Sequence, residues 1–247
     1  MNTLKVTFSA FILFSILACS AQSGSSGAET NSPATPEAPA PVQEPGKNLV
    51  YNFDNDALGK LPAKFHAALT GKGGAGVWEV KADSSAPSQP NVLAQTSTDK
   101  TSYRFPLAIA DEGSFLNLDL SVRFKPISGQ VDQAAGLTWR LKDANNYYIV
   151  RANALENNLV LYKVENGKRT DLPLKGEGRT YGKKTSIPSG QWSELRVVAV
   201  GNLFEVFVNG HKLYEVEDNT FTEAGKIGLW TKADSVTYFD DLRVTAK

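Results

Sequence analysis

The feature that most limits what this chain can fold into is a two-residue alternation ending at Phe124. Leu116, Leu118, Leu120, Val122 and Phe124 are apolar, and Asn117, Asp119, Ser121 and Arg123 stand between them. Successive side chains of an extended strand point to opposite faces, so this pattern predicts one buried and one wet face. A wet face indicates an antiparallel sheet, because parallel sheets are covered on both sides. The same texture continues downstream. Leu137, Trp139 and Leu141 alternate with Thr138, Arg140 and Lys142. Further strands are expected over 147–153, 159–164, 192–200, 203–208, 212–216, 227–232 and 236–244. Asn166-Gly167 and Asn209-Gly210 separate some of these runs and are strong hairpin signals. No long stretch shows helical periodicity. About a dozen strands joined by tight turns predict an all-β fold, an antiparallel β-sandwich of the jelly-roll kind.

The alternation begins only after residue 48, and the chain before it has a different character. Residues 6–17 read VTFSAFILFSIL behind a single lysine, Lys5. That run is too short to span a bilayer, which takes about 20 apolar residues. It has the length of the apolar core of a signal peptide. Ile16-Leu17-Ala18-Cys19 closes it and resembles the lipobox of bacterial lipoproteins, which implies cleavage after residue 18 and lipidation of Cys19. Cys19 is the only cysteine, so no internal disulfide is available. Residues 20–46 are rich in Ser, Ala, Pro and Glu and nearly empty of large apolar side chains. Such a segment buries too little surface to offset its ordering entropy. At about 3.1 Å per residue it reaches roughly 85 Å. The expected organisation is therefore a leader at 1–18, a lipidated Cys19 with a disordered tether at 19–47, and a jelly-roll domain at 48–247. The membrane is the expected partner at the lipid anchor, and the expected location is the cell envelope. Ser20 after the cysteine resembles the Gram-negative sorting signal for the outer membrane.

The order of motifs in the domain supplies a second kind of information. GVWEV at 76–80, YRFPL at 103–107 and the tail NGHKLYEVEDNTFTEAGKIGLWTKADSVTYFDDLRV at 209–244 resemble the concanavalin A-like lectin and glucanase jelly rolls. Bacterial LamG-like domains and 3-keto-disaccharide hydrolase-type domains are the branches of that group it most resembles. The resemblance covers nearly all of 49–247 and implies the fold. It leaves function open, because this fold carries lectins, hydrolases and adhesion modules alike.

Composition and motif spacing narrow the chemistry. The formal net charge is +0, which argues against a nucleic-acid partner, since that would need a basic surface. No Gly-x-Ser-x-Gly is present, and the two histidines, His66 and His211, have no obvious acid or nucleophile beside them in sequence. Both read as structural or solvated. The Gly71–Gly76 run imitates a phosphate loop but leads into a strand rather than a helix, and reads as a flexible loop. The Glu-x-Asp-x-Glu strand of the glucanases is absent. Glu215 and Glu217 are its nearest imitation, about 6.8 Å apart on one strand face, and a charged solvent face explains them more simply. Catalytic residues stay unassigned.

A sugar-binding face is the leading expectation. If Ile227, Leu229 and Thr231 face the core, Trp230 points outward beside Lys232. By the same parity Arg140 opposes Trp139, and Tyr147, Arg151 and Asn153 share a face of the next strand. Aromatic rings stacking on C–H faces and planar groups bonding hydroxyls would suit a polysaccharide ligand. Trp78, Trp139 and Trp192 are assigned to the core. Phe239 and Leu242 are both apolar yet an odd number apart, which predicts a β-bulge at Asp240–Asp241. No cofactor is expected apart from a structural calcium on Asp54 and Asp241, if the first and last strands pair. Three functions stay open: glycan-binding module, hydrolase or lyase of modified (3-keto) glycosides, and structural or protein-interaction domain.

Overall fold

The computed structural model describes residues 46–247. The expected leader, Cys19 and the tether up to residue 45 lie outside the described residues. No helix occurs among the described residues. The chain forms β1 (Asn48–Tyr51), β2 (Phe65–Gly71), β3 (Trp78–Ala82), β4 (Asn91–Gln95), β5 (Arg104–Ala110), β6 (Leu118–Ser128), β7 (Ala134–Asp143) and β8 (Asn146–Asn153). It continues as β9 (Asn158–Glu165), β10 (Lys168–Asp171), β11 (Lys183–Lys184), β12 (Ser193–Val200), β13 (Leu203–Val208), β14 (His211–Glu217), β15 (Lys226–Trp230) and β16 (Val236–Ala246).

These strands form two eight-stranded sheets. The first runs β14-β13-β12-β6-β16-β4-β3 with β1 added on β16, and the second runs β10-β9-β8-β7-β15-β5-β2 with β11 added on β9. Both expected Asn-Gly hairpins form. Asn166 and Gly167 have φ of 50° and 75°, and Asn209 and Gly210 have 48° and 78°. Two successive left-handed residues match the twist of the flanking strands, and Asn and Gly adopt that conformation at least cost.

The inner faces of the two sheets close on one apolar core. Leu118, Leu120, Val122 and Phe124 of β6 meet Trp139, Tyr148, Val150, Leu161, Ile227 and Leu229 of the second sheet. Each such side chain, fully buried, contributes about 1.5–3 kcal/mol of transfer free energy. Phe204 packs at 4.7 Å from Tyr148 and 5.4 Å from Trp139, which joins the sheets at the middle of the sandwich. The bulge in β16 is present: the register shifts between Asp240 and Arg243, Asp241 has φ 49°, and Phe239 and Leu242 both enter the core. β1 pairs with β16 as the first-and-last pairing required.

Three expectations about side chains are corrected. Trp192 is not a core residue: its ring lies under the Lys125 ammonium at 5.0 Å, and its N–H donates to Ser85. Arg140 does not share a face with the other proposed ligand residues. It has φ 46° at a bulge in β7, and its guanidinium turns to the end of the sandwich, where it donates to the carbonyls of Leu116, Phe221 and Gly201. The bulge explains why Leu141, two residues after core Trp139, faces away from that core. The Gly71–Gly76 loop is clamped rather than free. Fully buried Arg104 donates to the carbonyls of Gly74, Ala75 and Ala233.

Candidate functional site

The second sheet has a second apolar cluster on the face turned away from the first sheet. Phe105, Leu107, Ile109, Tyr147, Ile149, Val160, Tyr162, Val164 and Trp230 compose most of it. Curvature makes this possible. β5 and β10 are five steps apart in the sheet. A flat sheet would separate them by about 24 Å. Instead the Arg169 guanidinium of β10 stands 4.7 Å from the Phe105 ring of β5. The Tyr103 hydroxyl, just before β5, donates to the Gly167 carbonyl and accepts from the Arg169 amide, which ties the two ends together. The sheet is thus rolled into a half-barrel, and its concave side holds the cluster.

Trp230 is where parity placed it, on the face opposite the inter-sheet core, but it does not stand open to solvent. It is 0% exposed. Its indole stacks on Phe105 at 5.1 Å and lies across from Gly136, where any side chain would strike Ile149 and crowd Trp230. Tyr147 is likewise enclosed; its hydroxyl shares a 2.8 Å hydrogen bond with Thr70, and burial pushes its pKa up to about 12. These two rings are the floor of the concave face and not a contact platform.

The open end of the same face gathers the other proposed residues and several that the sequence reading missed. Arg151 is fully buried and donates to both Glu156 oxygens and to Asn158 Oδ1. Asn153 donates to Asp132 Oδ1 at 2.6 Å, and Lys232 forms an ion pair with the other oxygen of Asp132. Burial opposes ionisation of Glu156, yet the hydrogen bonds and charge of Arg151, helped by Lys232, hold its carboxyl below the usual carboxylate range. Above this polar floor stands Tyr181, 46% exposed, with φ 56°. Its hydroxyl meets that of Tyr162 at 3.0 Å, and its ring faces the Arg151 guanidinium at 5.8 Å. Leu155, Glu156, Asn158, Thr180, Tyr181 and Lys184 line a cleft of about 300 Å³. Glu156, Asn158, Tyr181 and Arg169 were missed. For Tyr181 a signal existed: an aromatic residue inside the glycine-rich GEGRTYG stretch, 176–182, reads as a displayed ring.

Of the remaining candidates, His66 bonds Asp111, and His211 lies exposed at the β14 hairpin. Glu215 and Glu217, on β14 of the first sheet, pair with Lys212 of the same strand and with Lys175. Asp54 accepts from the Asn91 amide, and Asp241 pairs with Arg243 at 2.7 Å. No group of three or more His, Cys, Asp or Glu side chains that could hold a metal ion gathers among the described residues.

Comparison with known proteins follows the same lines. A family model described as the 3-keto-alpha-glucoside-1,2-lyase-like domain matches residues 70–245. No curated protein matches the sequence. Among solved structures, carbohydrate-binding module CBM66 from Bacillus subtilis superposes with a TM-score of 0.55 at 19% identity, covering 68% of this chain and 91% of that one. The cellulose-induced protein Cip1 superposes with a TM-score of 0.57 at 12% identity, covering 81% and 97%. At these identities the likeness is one of fold.

Proposed function

This chain belongs to the 3-keto-alpha-glucoside-1,2-lyase-like domain family, and from that premise we propose that it is a carbohydrate-binding β-sandwich of the cell envelope, tethered through a lipidated Cys19. The observation that carries the binding reading is Tyr181. A large, half-exposed ring in a left-handed backbone conformation is held over a carboxylate, an amide and a guanidinium that are already fixed by one another. A non-glycine residue with positive φ persists only where its surroundings over-determine it. Here the constraint serves to present the ring. Sugars offer C–H faces to such a ring and hydroxyls to groups like Glu156 and Asn158. That CBM66 is a carbohydrate-binding module of the same fold supports this reading.

A glycan array of the wild type against Tyr181→Ala tests it. Glycan signals that fall at least about tenfold in the variant, or 1.4 kcal/mol, are expected. Equal signals from both proteins would remove Tyr181 from the site. Detergent phase partitioning of the wild type against Cys19→Ser tests the anchor: the variant is expected in the aqueous phase, and co-partitioning of both would refute lipidation.

A second reading is favoured by one feature, a carboxylate with two cations beside it. Elimination across C1 and C2 of a 3-keto glucoside needs a base at the acidified C2–H and positive charge near the C3 oxygen. Glu156 with Arg151 and Lys232 has those charges. The same guanidinium makes Glu156 a weak base, however, which suits a hydrogen-bond acceptor better than a proton acceptor. Release of the leaving group from a 3-keto glucoside that disappears in Glu156→Gln would replace binding by lyase activity.

A further inference from the structure

The surroundings of Arg169 are unusual for a surface arginine. It lies on β10 immediately after the Asn-Gly turn, half-buried over the concave face. Its guanidinium stands 4.4 Å from the Tyr162 ring, 4.7 Å from Phe105 and 5.7 Å from Trp230. Among the described residues no carboxylate reaches it, and its Nη1 is buried without a hydrogen-bond partner. The other buried cations of this face are neutralised: Arg151 by Glu156, and Lys232 by Asp132. Lys184, at the rim of the cleft, donates to the backbone carbonyl of Glu156 and pairs with no carboxylate among the described residues. The concave end therefore carries an excess of positive charge in a chain whose formal net charge is +0.

Withdrawing N–H donors from water without a partner costs free energy, and three rings recover only part of it through cation–π attraction. What the cage does provide is orientation. The aromatic contacts hold a planar fork of donors in place beside Tyr162, the residue that also contacts Tyr181 and Arg151. A guanidinium fixed in this way matches a carboxylate with two parallel hydrogen bonds. Glu156 and Asp132 nearby would repel a dianion more than a monoanion.

We propose that the ligand is an acidic polysaccharide, and that Arg169 recognises the carboxylate of a hexuronosyl unit while Tyr181 stacks on its ring. This deepens the carbohydrate-binding reading and rests on it. The test is titration calorimetry of the full chain with oligogalacturonate and oligomannuronate, against cellohexaose and maltohexaose as neutral probes. Uronate oligomers are expected to bind at least about tenfold more tightly than neutral ones, with affinity falling as salt screens the contact. Arg169→Met keeps an apolar stem over the rings and is expected to lose that preference while retaining its circular dichroism spectrum. Arg169→Lys keeps the charge but not the fork and is expected to fall between them. Equal affinity for neutral and acidic oligomers, or uronate binding unchanged in Arg169→Met, overturns the assignment of Arg169 and leaves the carbohydrate site standing. No binding to any of these glycans would sink both readings together.

Discussion

The two faces of the second sheet are both buried, and they are built from different chemistry. The face toward the first sheet is aliphatic and aromatic, with Leu137, Val150, Leu161 and Leu229 around Trp139 and Tyr148. The opposite face buries as fully but includes Arg151, Asn153, Thr138 and Asp132, with Arg169 set among its rings. A fold needs the first kind of face to exist. It has no need of the second, since paired buried charges are often no better for stability than apolar residues of the same shape. The difference teaches that burial alone does not separate core from site. The separating mark is a set of charged and polar groups bonded to one another around a displayed ring, on a face the sandwich does not need for closure.

The largest expected effect lies on the inner face. Phe204→Ala removes a ring that touches Trp139 and Tyr148 and leaves a cavity between the sheets. The cost is expected at about 3–5 kcal/mol, read as a fall in the chemical-denaturation midpoint at unchanged slope. Under conditions where the variant stays folded, glycan affinity is expected to equal that of the wild type. A variant that lost affinity while keeping its stability would break the comparison, because the inner face would then belong to the site.

A smaller effect is expected where the concave face is anchored. The Asp234 carboxylate accepts backbone N–H groups from Gln130, Val131 and Asp132, and so holds the loop that presents Asp132 to Lys232. Burial raises its pKa, but the three amides outweigh burial and leave it below the ordinary value. A depressed carboxylate pKa contributes stability that is complete above the unfolded value, about 3.9, and disappears as pH falls through the native value. Asp234→Ala is expected to cost about 2–3 kcal/mol at neutral pH. The wild-type and variant stabilities should converge as acid protonates the carboxyl. A constant gap down to the lowest pH at which both fold would show that Asp234 acts by packing and not by charge.

Much of the inner face was legible in the sequence, because alternation is a local property. Leu118 to Phe124, the two Asn-Gly turns and the bulge at Asp241 needed only neighbouring residues to be read. The concave face was legible in its parity and not in its environment. Trp230 stands on the predicted side, but it is covered from the neighbouring β5 and from β10, and β10 reaches it only because the sheet curls. Arg140 was misplaced by one positive φ, which shifts the parity of everything after it in β7 and which no residue type there announces. Trp192 was assigned to the core on apolarity alone, and it lies under Lys125 at a strand start instead. Glu156 and Asn158 sit at the β8–β9 turn, where turn-forming residues mask a functional role.

The smallest expected effect is the sharpest test of how charge should be read in this fold. Glu215 and Glu217 share one face of β14, the spacing that makes them resemble a catalytic carboxylate pair. They belong to the edge of the first sheet, while the concave site belongs to the second. Glu217 is exposed and meets Lys175 at 2.7 Å. Exposed ion pairs are worth about 0–1 kcal/mol, since water screens the attraction and two long side chains lose freedom. Glu217→Gln is accordingly expected to change stability by less than about 0.5 kcal/mol and to leave glycan binding intact. Glu156→Gln should behave otherwise, because Glu156 is held by a fully buried guanidinium that would be left without its counter-charge. If Glu217→Gln weakened binding and Glu156→Gln did not, the site would have to move to the first sheet, and the contrast between the two faces of the second would lose its functional meaning.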